Sequence, residues 1–250
     1  MSIKFVAHDT FESWLFDVNF KEILIIYTLL RNKTAENKVF TSISSICTEC
    51  GYSNENRGKD SFNAYIRMIL KDFINKKEIV QIYGKDLDTV TSTGLIVFKI
   101  ENNFYDLAIR KIMQITPNEF DIIVNINSPS VSAATLFKLY VYMRHHIATD
   151  NLPIIGFIGS VERAVKDLDL SRKTVDACLD LFVDHNLFIK YTTGSCYIDG
   201  EPRNVPNIYV LPDDQAENNI KALLEELKQR YGVEEFAPVL TPMFFNNSSN

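Results

Sequence analysis

The sequence predicts an α+β chain, mainly α with small β wings, folded as tandem winged helix-turn-helix domains. Three observations predict this. An apolar helical stretch occurs twice, as Ile23-Leu24-Ile25-Ile26-Tyr27-Thr28-Leu29-Leu30-Arg31 and as Leu136-Phe137-Lys138-Leu139-Tyr140-Val141-Tyr142-Met143-Arg144. Each copy is followed by a polar gap, a short helical pattern, a longer one, and a β-rich stretch with a glycine-bearing turn. Ile66, Leu70, Phe73, Val80 and Ile82 also align with Val175, Leu179, Phe182, Ile189 and Tyr191 at one fixed offset.

In the first copy, Ile23, Ile26, Tyr27 and Leu30 share one face of a helix from about Asn19 to Arg31. Asn32 to Lys38 reads as a loop. Thr41 or Ser42 caps a second helix that turns Ile43, Ile46, Cys47 and Cys50 inward, and Gly51 stops it. A third helix spans about Asp60 to Asn75 and buries Phe62, Ile66, Ile69, Leu70 and Phe73. Ile79 to Tyr83 and Leu95 to Ile100 make a hairpin around Gly84 and Gly94.

The second copy starts with a helix from about Ala133 to His146. Ser160 caps the next helix and Ser171 the third, which buries Val175, Cys178, Leu179 and Phe182. Leu187 to Tyr191 and Asn207 to Leu211 are its wing strands, joined by a long loop through Gly194, Gly200, Pro202 and Pro206. Between the copies, Asn103 to Ile109 reads as a strand. Thr116-Pro117-Asn118-Glu119 opens a short helix, and this segment is expected to dock the two domains. After Pro212, a helix from about Asp214 to Tyr231 carries the stripe Ile220, Leu223, Leu224, Leu227 and Tyr231, and Gly232 ends it. That stripe suits either its own domain or a homodimer through the C-terminal helix. The tail from Ala237 is expected to be disordered. The expected domains are 1–102, a connector 103–132, 133–212, a C-terminal helix 213–233 and a tail 234–250.

A length of 250 residues fits two small domains, and 46% apolar residues suffice for their cores. The apolar runs are too short to span a bilayer, the N-terminus does not read as a signal peptide, and four cysteines make no disulfide framework. These features predict a reduced, cytoplasmic protein without membrane contact. The net charge of −6 is uneven. Residues 1–100 hold 13 basic and 12 acidic side chains, 101–212 hold 10 and 13, and 213–250 hold 3 and 7. Local basic faces, not the total, govern binding to DNA.

A winged helix places its third helix in the major groove and its wing on phosphate or the minor groove. In the first copy, Lys59, Asn63, Arg67 and Lys71 are candidates, the last three on one face, with Lys76 and Lys77 for phosphate. In the second, Arg172 and Lys173 open the third helix, and Lys190 and Arg203 lie in the wing. Asp176, Asp180 and Asp184 then form an acidic stripe that phosphate would repel, so the first copy is expected to read DNA along its third helix, and the second to touch it only through Arg172, Lys173, Lys190 and Arg203 or to serve mainly in protein contact. Cys47 and Cys50 form a CxxC without the second pair that a zinc ribbon needs, and share a buried helix face. His145-His146 beside Arg144 suits a helix C-terminus. No phosphate-binding loop or nucleophile elbow is present, so no enzyme activity, catalytic residue, cofactor or metal is expected.

Leu136 to Arg144, Ser160 to Leu168, Ser171-Arg172-Lys173-Thr174-Val175 and Asn186-Leu187-Phe188-Ile189 together resemble replication initiator and replisome-organiser proteins of Gram-positive plasmids and phages. The resemblance covers roughly residues 20–212. It implies tandem winged helices, origin DNA as the ligand, and dimerisation. The expected function is sequence-specific double-stranded DNA binding in DNA replication or transcription regulation of a plasmid, phage or host. The rival is a winged-helix scaffold that binds protein.

Overall fold

The computed structural model describes residues 3–4, 19–53, 61–102, 104, 114–147, 156–198 and 200–238, and every element named below lies within them. The chain divides into unit 1, Met1–His145, and unit 2, His146–Asn250.

Unit 1 begins with the two-residue strand β1 (Ile3–Lys4), paired with β5 (Gln114–Ile115). Asn19 caps α1 (Phe20–Arg31) by accepting from the Lys21 amide. Leu24 to Leu29 are all buried, so α1 is covered on most of its circumference. Next come β2 (Lys38–Thr41), α2 (Ile43–Glu49) and α3 (Phe62–Asn75), followed by β3 (Ile79–Tyr83) and β4 (Ile96–Ile100). Ser42 and Ser61 cap α2 and α3 through their side-chain oxygens. The strands form an antiparallel sheet in the order β2-β4-β3. Its inner face buries Val39, Ile79, Ile96, Phe98 and Ile100.

Thr116 caps α4 (Pro117–Asn125) as expected, with Pro117 in its first turn, and forms a capping box with Glu119. α4 packs within unit 1. Phe120 stacks on Tyr27 of α1 with ring centroids 4.0 Å apart, and meets Phe137 of α5 (Ala133–Ile147) edge-on at 5.7 Å. Arg31 pairs with Asp121, and the Tyr140 hydroxyl donates to Glu119 Oε1 at 2.5 Å. Each buried aromatic here contributes roughly 1.5–3 kcal/mol.

Unit 2 contains β6 (Phe157–Ile158), α6 (Val161–Leu168), α7 (Arg172–Asp184), β7 (Ile189–Tyr191), the hairpin β8 (Ser195–Ile198) and β9 (Glu201–Asn204), β10 (Ile208–Val210) and α8 (Ala216–Tyr231). Its sheet runs β6-β10-β7, antiparallel. The order helix, strand, helix, helix, strand, returning central strand thus occurs twice along the chain. The architecture is α+β with small antiparallel sheets, compatible with a winged-helix fold.

Five local expectations are corrected. β2 and β6 are strands in stretches where no strand is expected, because two to four residues are too few for an alternating pattern to register. The long loop of unit 2 contains the β8–β9 hairpin. Phe104 is helical rather than extended, while 105–109 lie outside the described residues. At the start of the tail, Ala237 exchanges backbone hydrogen bonds with Ser195, and Ser195 Oγ donates to Pro238 O; residues 239–250 lie outside the described residues. The α8 stripe is not free for a partner. Leu223 and Leu227 are buried against Ile208 and Val210, with Ile220, Leu224 and Tyr231 packed around them, so the helix closes its own unit. No helix among the described residues is long and apolar enough to cross a membrane.

Candidate nucleic-acid interface

In unit 1, α3 buries Ile66, Ile69, Leu70 and Phe73 and turns its polar side towards the β3–β4 loop. That loop is tied by Asp86, whose carboxylate accepts from the Asp88 amide at 2.8 Å and whose carbonyl accepts from the Val90 amide at 2.8 Å. Leu87 and Val90 are buried under it. Arg67 reaches across and donates to the carbonyls of Leu87 and Val90, the latter at 2.9 Å. Lys71 pairs with Asp88 in the same loop. Asn63 is half-buried, and its Oδ1 is sealed from solvent without a hydrogen-bond partner. The expectation that Asn63, Arg67 and Lys71 stand free along one face is therefore corrected for two of them: the wing folds back over that face and takes the donors of Arg67 and Lys71. Met68, 55% exposed, and Asn75 lie on the solvent side of α3 instead.

Lys59 lies outside the described residues. Lys76 pairs with Asp72 one turn back, at 2.5 Å. Lys77 is exposed, in the left-handed region at φ 57°, with no acid paired to it among the described residues. Glu78 follows, only 5% exposed, and its Oε2 has no partner. Burial holds the Glu78 carboxyl above the usual range; Lys76 opposes this, and Asp72 and Glu22 reinforce it.

In unit 2 the turn between α6 and α7 is set by Asp169 at φ 51° and by Ser171, which accepts from the Thr174 amide. Arg172 and Lys173 then emerge exposed on the first turn of α7. Arg172 touches Glu162 at 2.7 Å and Asp176 at 3.8 Å. Lys173 has no acid paired to it among the described residues. Lys190 lies 4.0 Å from Asp180, and Arg203 lies 3.6 Å from Glu201 on the exposed β9. The structure thus keeps Arg172 with Lys173, and places Lys190 on the acidic stripe.

Two kinds of attachment separate these cations. Exposed ion pairs contribute about 0–1 kcal/mol, so a phosphate can displace the carboxylate from Lys71, Arg172, Lys190 or Arg203. Arg67 holds two backbone carbonyls in a half-buried seam, and its removal leaves them unpaired. Sequence reasoning missed Asp86 and Asp88, whose only signal was an acidic doublet in a wing opposite a basic helix.

Cys47 on α2 and Cys50 at its C-cap are buried, and burial pushes their thiols up to about 11 and about 12. A thiol in that state is a poor nucleophile and a poor metal ligand. No cluster of three His, Cys, Asp or Glu suited to a metal occurs among the described residues. His146 meets Phe157 edge-on at 5.5 Å.

No family profile matches the chain, and no curated protein sequence matches it. A crystal structure of RctB domains 2-3 superposes with a TM-score of 0.41 at 12% sequence identity, over 80% of this chain and 84% of that one. Superposition of that degree does not define a shared fold.

Proposed function

We propose that the protein is a sequence-specific double-stranded DNA-binding protein with two winged helices, acting in replication initiation or transcription control of a plasmid, phage or host, and not an enzyme. The observation that carries this reading is the strand order, with the last strand central in both sheets, β2-β4-β3 and β6-β10-β7. On this reading α3 and α7 are the third helices of their modules, the place from which a winged helix enters the major groove. Of the two, α7 offers the better entry. Its first turn presents Arg172 and Lys173, and its free amides favour an anion.

The test is selection of bound fragments from a random duplex pool, with affinity then followed against salt. Replacing Arg172 and Lys173 together by alanine weakens binding about tenfold and lowers the logarithmic salt slope by about 2. Unchanged affinity and slope would remove α7 from the interface. A wild-type protein indifferent to duplex at low salt would remove DNA altogether. One observation favours a second reading, a protein-binding scaffold: six of the eight candidate cations among the described residues, all but Lys77 and Lys173, already hold an acid or a carbonyl of their own unit. On that reading the pool shows no enrichment and binding is weak on every duplex.

A further inference from the structure

The β2-β4-β3 sheet of unit 1 sets exposed rings beside cations. Cross-strand pairing places Phe40, Val97 and Tyr83 in one row, and Lys38, Lys99 and Val80 in the next. Phe40 is 57% exposed and Tyr83 63%, while Val97 between them is buried. A shift of register between Gln81 and Tyr83 turns Tyr83 outward and completes the row. Two strand spacings put the rings about 10 Å apart, and two residues of strand separate the rows by about 7 Å. Lys38 stands directly opposite Lys99, a placement of like charges that destabilises a sheet. No residue of the three strands is acidic. The acids that pair with the two lysines, Glu36 at 2.5 Å and Glu101 at 2.9 Å, lie beyond the strand ends. Lys85, exposed two residues past Tyr83, has no acid paired to it among the described residues. In the adjoining loop, the Asp86 carboxylate accepts from the Asp88 amide, and Asp88 pairs with Lys71.

We propose that this face is a stacking platform for single-stranded nucleic acid, with bases on Phe40 and Tyr83 and phosphates at Lys38, Lys99 and Lys85. Exposed rings with cations alongside are what an unpaired strand requires, because every base has a face to stack and every nucleotide a charge to neutralise. The spacing of about 7 Å between ring row and lysine row is on the order of one nucleotide from base to phosphate. A phosphate between Lys38 and Lys99 relieves their mutual repulsion. It displaces Glu36 and Glu101, since exposed ion pairs contribute about 0–1 kcal/mol. Duplex does not suit the rings, because its bases are stacked on one another. A second copy does not suit the lysines, because two such faces would bring four of them together with no acid among the strand residues. Unit 2 differs: Ile208 and Val210 of its sheet are buried against Leu223 and Leu227 of α8.

This platform is separate from the duplex contact proposed at α7 and does not rest on it. The test is fluorescence anisotropy of the full chain with labelled oligothymidylate of about 15 nucleotides, at low salt and then against salt. Phe40→Ala and Tyr83→Ala should each weaken binding about tenfold, whereas Tyr83→Trp, which keeps a ring, should bind as the wild type does. Replacing Lys38 and Lys99 together by alanine should lower the logarithmic salt slope by about 1.4, the value for two phosphates on a single strand. Arg172→Ala with Lys173→Ala should leave oligothymidylate binding unchanged, so failure of the duplex reading and failure of this one are told apart. All these side chains are exposed, and unchanged far-UV circular dichroism confirms the fold; if a ring variant unfolds, the lysine pair and Tyr83→Trp still decide. No binding of oligothymidylate at low salt overturns the proposal, as does binding indifferent to the variants that fold. Equal losses on duplex and single strand overturn it too, because the face would then be a duplex contact. So does a change in self-association, or in binding to anionic vesicles, in the ring variants without any change on oligothymidylate.

Discussion

α3 and α7 occupy the same place in two similarly ordered units, yet their polar sides face different surroundings. On α3 the basic residues bend into the β3–β4 loop, where Arg67 and Lys71 hold Leu87, Val90 and Asp88. On α7 the basic residues are confined to the first turn, open to solvent, and an acidic stripe occupies the rest. The sheets differ in the complementary sense: unit 2 covers the sheet face away from α6 and α7 with α8, whereas in unit 1 Phe40, Val80, Ile82, Tyr83 and Leu95 are exposed. A repeated order of elements therefore fixes where a face lies, but not what meets it.

The largest test of that comparison concerns the sheets. Leu227 is fully buried under the outer face of unit 2. Leu227→Ala should cost about 3 kcal/mol, the usual loss for a core leucine with its cavity. Chemical denaturation reads it directly. A cost below about 1 kcal/mol would mean that α8 is not core, and would reopen its stripe to a partner.

The next test concerns the helices. Arg67→Ala should destabilise the chain by about 2 kcal/mol, because two buried carbonyls lose a charged donor. The salt slope of any duplex binding should stay the same. Arg172→Ala should do the reverse, since its ion pairs are exposed and contribute about 0–1 kcal/mol. Thermal melts set beside anisotropy titrations separate the two. A lowered salt slope with unchanged stability in Arg67→Ala would return α3 to the DNA.

Much of this scaffold was legible because polar caps are local. Ser42, Thr116, Ser160 and Ser171 cap the helices that their spacing predicts, whereas Asn19 and Ser61 cap helices whose expected starts were placed at or before them. β2 and β6 were lost to shortness. β9 was lost because Glu201-Pro202-Arg203-Asn204 is exposed throughout and carries no alternation. The candidate interface was harder to read for a different reason. Arg67 binds main-chain carbonyls, which carry no side-chain signature, and Lys71, Arg172 and Lys190 meet acids on other elements. Only the folded chain brings those partners together.

The smallest expected effect isolates one residue at which the two units diverge. Lys77 at φ 57° precedes Glu78, and Asn186 at φ 55° precedes Leu187. The Glu78 amide donates to Phe73 O at 2.9 Å, and the Leu187 amide to Phe182 O at 2.8 Å. Both side chains are buried, so unit 1 puts a carboxylate where unit 2 puts a leucine. Desolvation is the main reason that the Glu78 carboxyl ionises late, and Asp72 and Glu22 nearby add to it against Lys76. Desolvation also raises Glu22, with Lys76 opposing and Asp72 adding. A carboxyl whose folded pKa lies above its unfolded value favours folding when protonated. Its stabilising effect is complete below the unfolded value of 4.5 and is lost as pH rises through the folded value. The wild type should therefore weaken on going from about pH 5 to pH 8, and Glu78→Gln should weaken less. At pH 8 the variant should be the more stable, with the higher melting midpoint. Equal pH dependence in the two proteins would show that the charge at Glu78 is already compensated, most directly by Lys76.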